Sequence, residues 1–209
     1  MKNSALLFIA LLTISSFGFS QTVKIGNQVW TNKNLNVATF RNGETIPQAK
    51  TDEEWSAASQ NKKAAWCYYG NDPKNGTKYG KLYNWYAIND ARGLAPLGYH
   101  IPTDQEWTVL SNFLGGRDIA GKKMKSSSGW PRDNNGTNSS AFAGLPGGYR
   151  SYDGELHLIG SLGHWWSASE DDESYGMSAW FQSLGQFDIY VQRDSQEKGL
   201  GFSVRCVKN

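Results

Sequence analysis

Residues 98–116, GYHIPTDQEWTVLSNFLGG, hold the clearest structural instruction in the chain. Thr103 stands three residues ahead of Glu106, the spacing at which a hydroxyl caps the first turn of a helix while the glutamate returns to the cap's own amide. Trp107, Leu110 and Leu114 then fall on one face. Gly115-Gly116 closes the helix, because glycine enters the left-handed closing conformation without a Cβ penalty. Residues 51–55, TDEEW, use the same capping solution and predict a weaker helix to about Gln60. Five matching residues are too few to mark an internal repeat. Leu82 to Asp90 (LYNWYAIND) is a third helical candidate, ending before Gly93.

Strands flank this helical region. Val23 to Ile25 and Gln28 to Trp30 alternate on either side of Gly26-Asn27, a loop whose leading glycine permits positive φ, so a hairpin is expected. Ala179 to Leu184 and Phe187 to Gln192, separated by Gly185-Gln186, predict a second hairpin by the same reasoning. Near the end, Phe202, Val204 and Cys206 alternate with Ser203 and Arg205, which turns Cys206 inward on a last strand. Residues Lys125 to Ser140 are rich in Ser, Asn, Gly and Pro and read as a long surface loop. Trp130 inside it either pins the loop to the core or offers a ring to a ligand.

The first twenty residues have the layout of an export signal: Lys2, the apolar run Ala5 to Ile14, and the small residues Gly18 and Ser20 before a cut. Thr13, Ser15 and Ser16 interrupt the run well short of the ~20 apolar residues a bilayer needs, so no integral membrane segment is expected after cleavage. The first cysteine is Cys67, which leaves the signal without a lipid-accepting thiol. Residues 21–209 then suit one domain with one core. The formal charge of +2 falls by one with Lys2, too little for a basic field, so nucleic acid is not an expected partner. Nine Trp in a weakly charged chain indicate a ring-packed core, although sugar-binding modules have a similar composition. In an oxidising compartment Cys67 and Cys206 either form a disulfide or stay as two separate buried thiols.

Motifs of known chemistry are mostly decoys. Gly116 to Lys123 (GRDIAGKK) has the glycine and lysine spacing of a phosphate loop, but Lys123 replaces the metal-binding hydroxyl and the stretch follows a helix. Ser195-Gln196-Glu197-Lys198 fits a serine and lysine spacing without its companion strings. His100, His157 and His164 are scattered, no HExxH or CxxC occurs, and no GxSxG elbow marks a nucleophile. The acidic run Glu170-Asp171-Asp172-Glu173 is either a solvated loop or a group of oxygen ligands, for which calcium would be the suitable ion.

The strings WCYYGND (66–72), YGKLYNWYA (79–87), GYHIPTDQEW (98–107), LPGGYR (145–150), HWWSASE (164–170) and GFSVRCV (201–207), in this order, resemble the Fibrobacter succinogenes major paralogous domain across nearly all of residues 21–209. That resemblance implies an exported bacterial domain, frequently on the cell surface, without an established activity. More distantly, HIPTDQEW and GFSVRCV are similar to strings of formylglycine-generating enzymes. This implies an α+β, C-type-lectin-like fold with two or three helices, short antiparallel sheets and long loops. The catalytic cysteine pair of those enzymes has no counterpart, nor do the calcium-sharing triplets of sugar-binding lectins. The expectation is therefore a non-catalytic binding or adhesion domain, secreted or at the cell surface, with the periplasm as alternative, whose partner is a polysaccharide or a surface protein. On this reading Trp130, Trp165 and Trp166 are the candidate stacking residues, with at least one of the adjacent pair buried if they lie on a strand. An envelope-assembly component and an enzyme with an unrecognised site are the alternatives.

Overall fold

Gly26, at φ +61°, turns β1 (Thr22–Ile25) into β2 (Gln28–Thr31), with Val23 opposite Trp30, so the first hairpin has the expected two-residue loop. This computed structural model describes residues 21–131 and 133–209, and the export signal expected over residues 1–20 lies outside them. The chain's last strand, β11 (Val207–Lys208), enters between β2 and β5 (Tyr99–His100), so one sheet of order β1-β2-β11-β5 joins the two ends.

The α-helices of the described residues all lie within residues 52–124. Both capping boxes form, opening α1 (Asp52–Gln60) at Thr51 and α4 (Asp104–Phe113) at Thr103. Gly115 and Gly116 then take φ of +102° and +96° and separate α4 from α5 (Arg117–Met124). α2 (Pro73–Tyr79) lies between β3 (Trp66–Cys67) and β4 (Leu82–Tyr83), which pair with each other. The third helical candidate therefore begins as strand, at Leu82–Tyr83. Asn84, whose side chain accepts from the Ala87 amide, caps only the short α3 (Trp85–Ile88). Among the described residues no helix is long and apolar enough to cross a membrane.

The later half forms a five-stranded sheet of order β10-β9-β8-β6-β7, from β6 (Gly147–Arg150), β7 (Leu156–Ile159), β8 (Leu162–Glu170), β9 (Ser178–Gly185) and β10 (Gln192–Glu197). The second hairpin exists as β9–β10, but its return strand is the polar QRDSQE rather than Phe187 to Gln192. Edge pairing needs only backbone groups, so Phe187, Ile189 and Tyr190 stay in the loop, largely exposed. The mixed helix and sheet architecture is α+β.

Residues 202–207 were expected to bury alternate side chains, but all six are buried. The segment is strapped on several sides: Phe202 exchanges backbone bonds with Tyr83, Ser203 donates to His164 and accepts from Trp166, and Cys206 accepts from Thr31. Arg205 is enclosed with it and donates to the Asn34 side chain (2.6 Å) and to the Thr31 (2.7 Å) and Phe142 (2.9 Å) carbonyls. Of the two readings for the cysteines the structure has the separate buried thiols, since Cys67 packs under α1 and Cys206 in the cluster around Trp166 and Phe202. Burial pushes them up to about 11 and about 12.

Candidate functional site

None of the three expected stacking residues offers a face to solvent. Trp130 pins its loop by donating Nε1 to the Gly144 carbonyl at 3.0 Å, the first of its two sequence readings. Trp165 donates to Asn34 Oδ1 at 2.8 Å and packs edge-on against Phe142. Trp166 donates to the Tyr83 carbonyl at 2.9 Å and lies 4.3 Å from the Phe202 ring. Neighbours on β8 do point opposite ways, but both faces of this strand are covered, so each ring enters a different core cluster. Trp180 on β9 is the single tryptophan outside the buried class, and the Arg193 guanidinium lies 3.5 Å from its ring centre.

Of the four acidic residues in the run, Glu170 and Asp171 are engaged by neighbouring side chains, while Asp172 and Glu173 are exposed. Glu170, at the end of β8, pairs with Lys198 at 2.9 Å. Asp171 accepts from Ser195 Oγ at 2.7 Å and from the Glu173 amide at 3.2 Å, capping the short turn Asp172–Ser174. Among the described residues no three His, Cys, Asp or Glu side chains group around a point that could hold an ion. The same bonds occupy the serine and the lysine of Ser195 to Lys198.

Sequence reasoning missed the cleft of about 260 Å³ on one face of the five-stranded sheet. Leu162, His164 and Trp166 share that face of β8 by the two-residue period, and Phe181 stands opposite Trp166 on β9. Tyr149 joins them from β6. It is positioned by a local irregularity at Gly148, φ +67°, where a Cβ would meet the His157 carbonyl at 2.5 Å. Ser151, Tyr152, Gln196 and Glu197 supply polar groups around the cleft. Tyr152 is 52% exposed and Leu158 48%. Leu158 also holds φ +60°, a backbone state that a leucine rarely adopts.

His164 is the chemical centre of this surface. Its ring stacks on Phe181 (5.2 Å, 14°) and packs against Phe202 (4.9 Å) and Tyr149 (5.2 Å). Burial pushes its pKa down to about 3, which keeps the ring neutral. Neither ring nitrogen has a hydrogen-bond partner. Leaving such a group unpaired costs about 1–3 kcal/mol. The alternation Leu162, His164, Trp166 was the available signal, since it places a histidine on an apolar face.

Among the described residues none of the three histidines bonds a side-chain hydroxyl or thiol. His100 meets Asn209 Oδ1 at 2.8 Å and Glu106 Oε1 at 2.7 Å, His157 lies 3.7 Å from Glu155, and His164 is alone. The cleft can hold a ligand against rings and offer it hydrogen bonds, which is recognition chemistry.

The chain belongs to the family of the Fibrobacter succinogenes major domain, whose model matches residues 23–208. No curated protein and no solved structure matches it.

Proposed function

We propose that this member of the Fibrobacter succinogenes major domain family is an exported, non-catalytic binding or adhesion domain of the bacterial surface, and that its recognition surface is the cleft over β6, β8 and β9. The observation that carries the reading is His164, a buried side chain with two open hydrogen-bonding atoms on the floor of a ring-lined cleft. Unsatisfied polar groups and strained backbone at one place mark sites where stability is given up for function. Leu158 supplies the second of these at the rim. A C-type-lectin-like arrangement is part of the proposal, supported by the sheet in which β11 pairs beside the first hairpin.

Retention of the purified protein on insoluble polysaccharides and on bacterial envelopes tests the reading. The double variant Tyr152→Ala, Leu158→Arg should lose most of its retention. Tyr175→Ala, at a fully exposed ring outside the cleft, should lose none. Equal retention of the cleft variant and the parent would remove the cleft as the binding surface.

One observation favours the envelope-assembly alternative. Phe187 and Ile189, 69% and 52% exposed, lie on the β9–β10 loop, and Ile189 shares a depression with Ile119 of α5. Exposed apolar groups of this kind suit a protein contact. Sedimentation of parent and Phe187→Ser, Ile189→Ser variants would show self-association that the variants lose if that surface drives it.

A further inference from the structure

We infer that the cleft takes an uncharged saccharide, whose hydroxyl groups meet the two open nitrogens of His164 once the Tyr149 ring tilts aside. The inference rests on the binding reading above. A neutral imidazole presents one N–H donor and one bare acceptor nitrogen, and a hydroxyl group can serve either. An ammonium group can only donate and an ionised carboxylate can only accept, so each would leave one nitrogen unmatched.

Both nitrogens are shielded from solvent in the structure. Of the three rings packed on His164, Phe181 and Phe202 are buried, and Tyr149, which also stacks on His157, is partly buried and the least enclosed. Charge points the same way as hydrogen bonding. Among the described residues Glu197 is the one carboxylate lining the cleft and no lysine or arginine lines it, so an acidic sugar would be repelled. An extended peptide is disfavoured by position: strand addition uses the ladder groups of a sheet edge, whereas this cleft lies on the sheet's face. The exposed Tyr152 ring can receive the apolar C–H face of a pyranose, while Ser151, Gln196 and Glu197 reach its hydroxyls.

The full chain is titrated with neutral oligosaccharides of glucose, mannose and xylose. Oligogalacturonate serves as the acidic arm, chitosan oligomers as the cationic arm and a mixed tripeptide pool as the peptide arm. Calorimetry and the imidazole ¹⁵N signals of His164 give the readouts. A neutral arm should bind and shift both nitrogen signals. His164→Phe keeps a ring in the stack and should weaken that binding roughly ten-fold or more, the size expected for two lost hydrogen bonds. Tyr152→Ala should weaken it similarly and, lying at an exposed position, serves even if the core variant misfolds. Binding confined to the acidic, cationic or peptide arm, or neutral binding that survives both His164→Phe and Tyr152→Ala, would overturn the saccharide assignment while the binding reading stands. Silence of the cleft signals in every arm would overturn it too, and envelope retention insensitive to cleft substitutions would remove the underlying reading as well.

Discussion

The starts of α1 and α4 carry nearly the same five residues, TDEEW and TDQEW, and solve the same local problem in the same way. In each, a threonine accepts from the amide three residues on, and the glutamate there returns to the threonine amide. The aspartate behind each cap binds an arginine from the later half of the chain: Asp52 takes Arg150 at 2.9 Å, and Asp104 takes Arg193 at 2.9 Å. Each tryptophan is fully buried. Their surroundings differ. Trp55 donates to the Gly199 carbonyl at 3.1 Å and has the Arg150 guanidinium 5.0 Å from its ring. Trp107 sits among Trp30 and Phe142, with its Nε1 unpartnered. Local sequence sets where a helix begins and which way its indole points, whereas distant chain decides what that indole does.

The largest break in the parallel should come from the arginines. Arg150 is fully buried and donates to the carbonyls of Gly154, Ala49 and Thr51 as well as to Asp52. Arg150→Met should destabilise by about 3–5 kcal/mol, because several buried acceptors lose their donors. Arg193, with a side chain 31% exposed, should cost about 1 kcal/mol or less on the same change. Urea midpoints compare the two, and equal losses would show that the two pairs are equivalent after all.

Conservative indole changes sharpen the contrast at a smaller scale. Trp55→Phe leaves the Gly199 carbonyl without its donor, whereas Trp107→Phe removes an N–H that had no acceptor. Both lose packing, so the difference isolates the hydrogen bond, and Trp55→Phe should be the costlier by about 1–2 kcal/mol in thermal unfolding. The caps should behave alike: Thr51→Ala and Thr103→Ala should each cost about 1 kcal/mol. A much larger loss at either site would mean that the hydroxyl supports more than its own helix.

The smallest effect concerns acid. Burial alone would raise the Glu106 carboxyl, but bonds from the Thr103 amide, His100 and the Thr103 hydroxyl outweigh it and hold the group below its ordinary range. A depressed folded-state value means that this carboxylate contributes stability above the unfolded value of ~4.3 and loses it as pH falls through the folded one. Amide exchange at the start of α4 should therefore quicken below about pH 4. Glu106→Gln should remove most of that pH dependence.

How much was legible follows from the range of each interaction. Caps, glycine stops and the β1–β2 hairpin depend on neighbours in sequence and were readable there. The β9–β10 register was not, since Phe187, Ile189 and Val191 alternate like a strand although Gln192–Glu197 supplies the pairing. Trp165 and Trp166 misled because alternation tells faces apart without saying that both faces are covered. His164 was passed over as an isolated histidine; its three ring neighbours come from β6, β9 and the segment before β11, places that only the folded chain brings together.

The position of β11 bears on the order in which the protein can assemble. Its central place between β2 and β5 is filled by residues 207–208, far along the chain from both neighbours. A nascent chain therefore has its first hairpin and its helices before it has the strand that unites them, and that sheet must wait until residues 207–208 are made. Deleting Val207 and Lys208 should leave the sheet without its joining strand, an outsized penalty for so small a change.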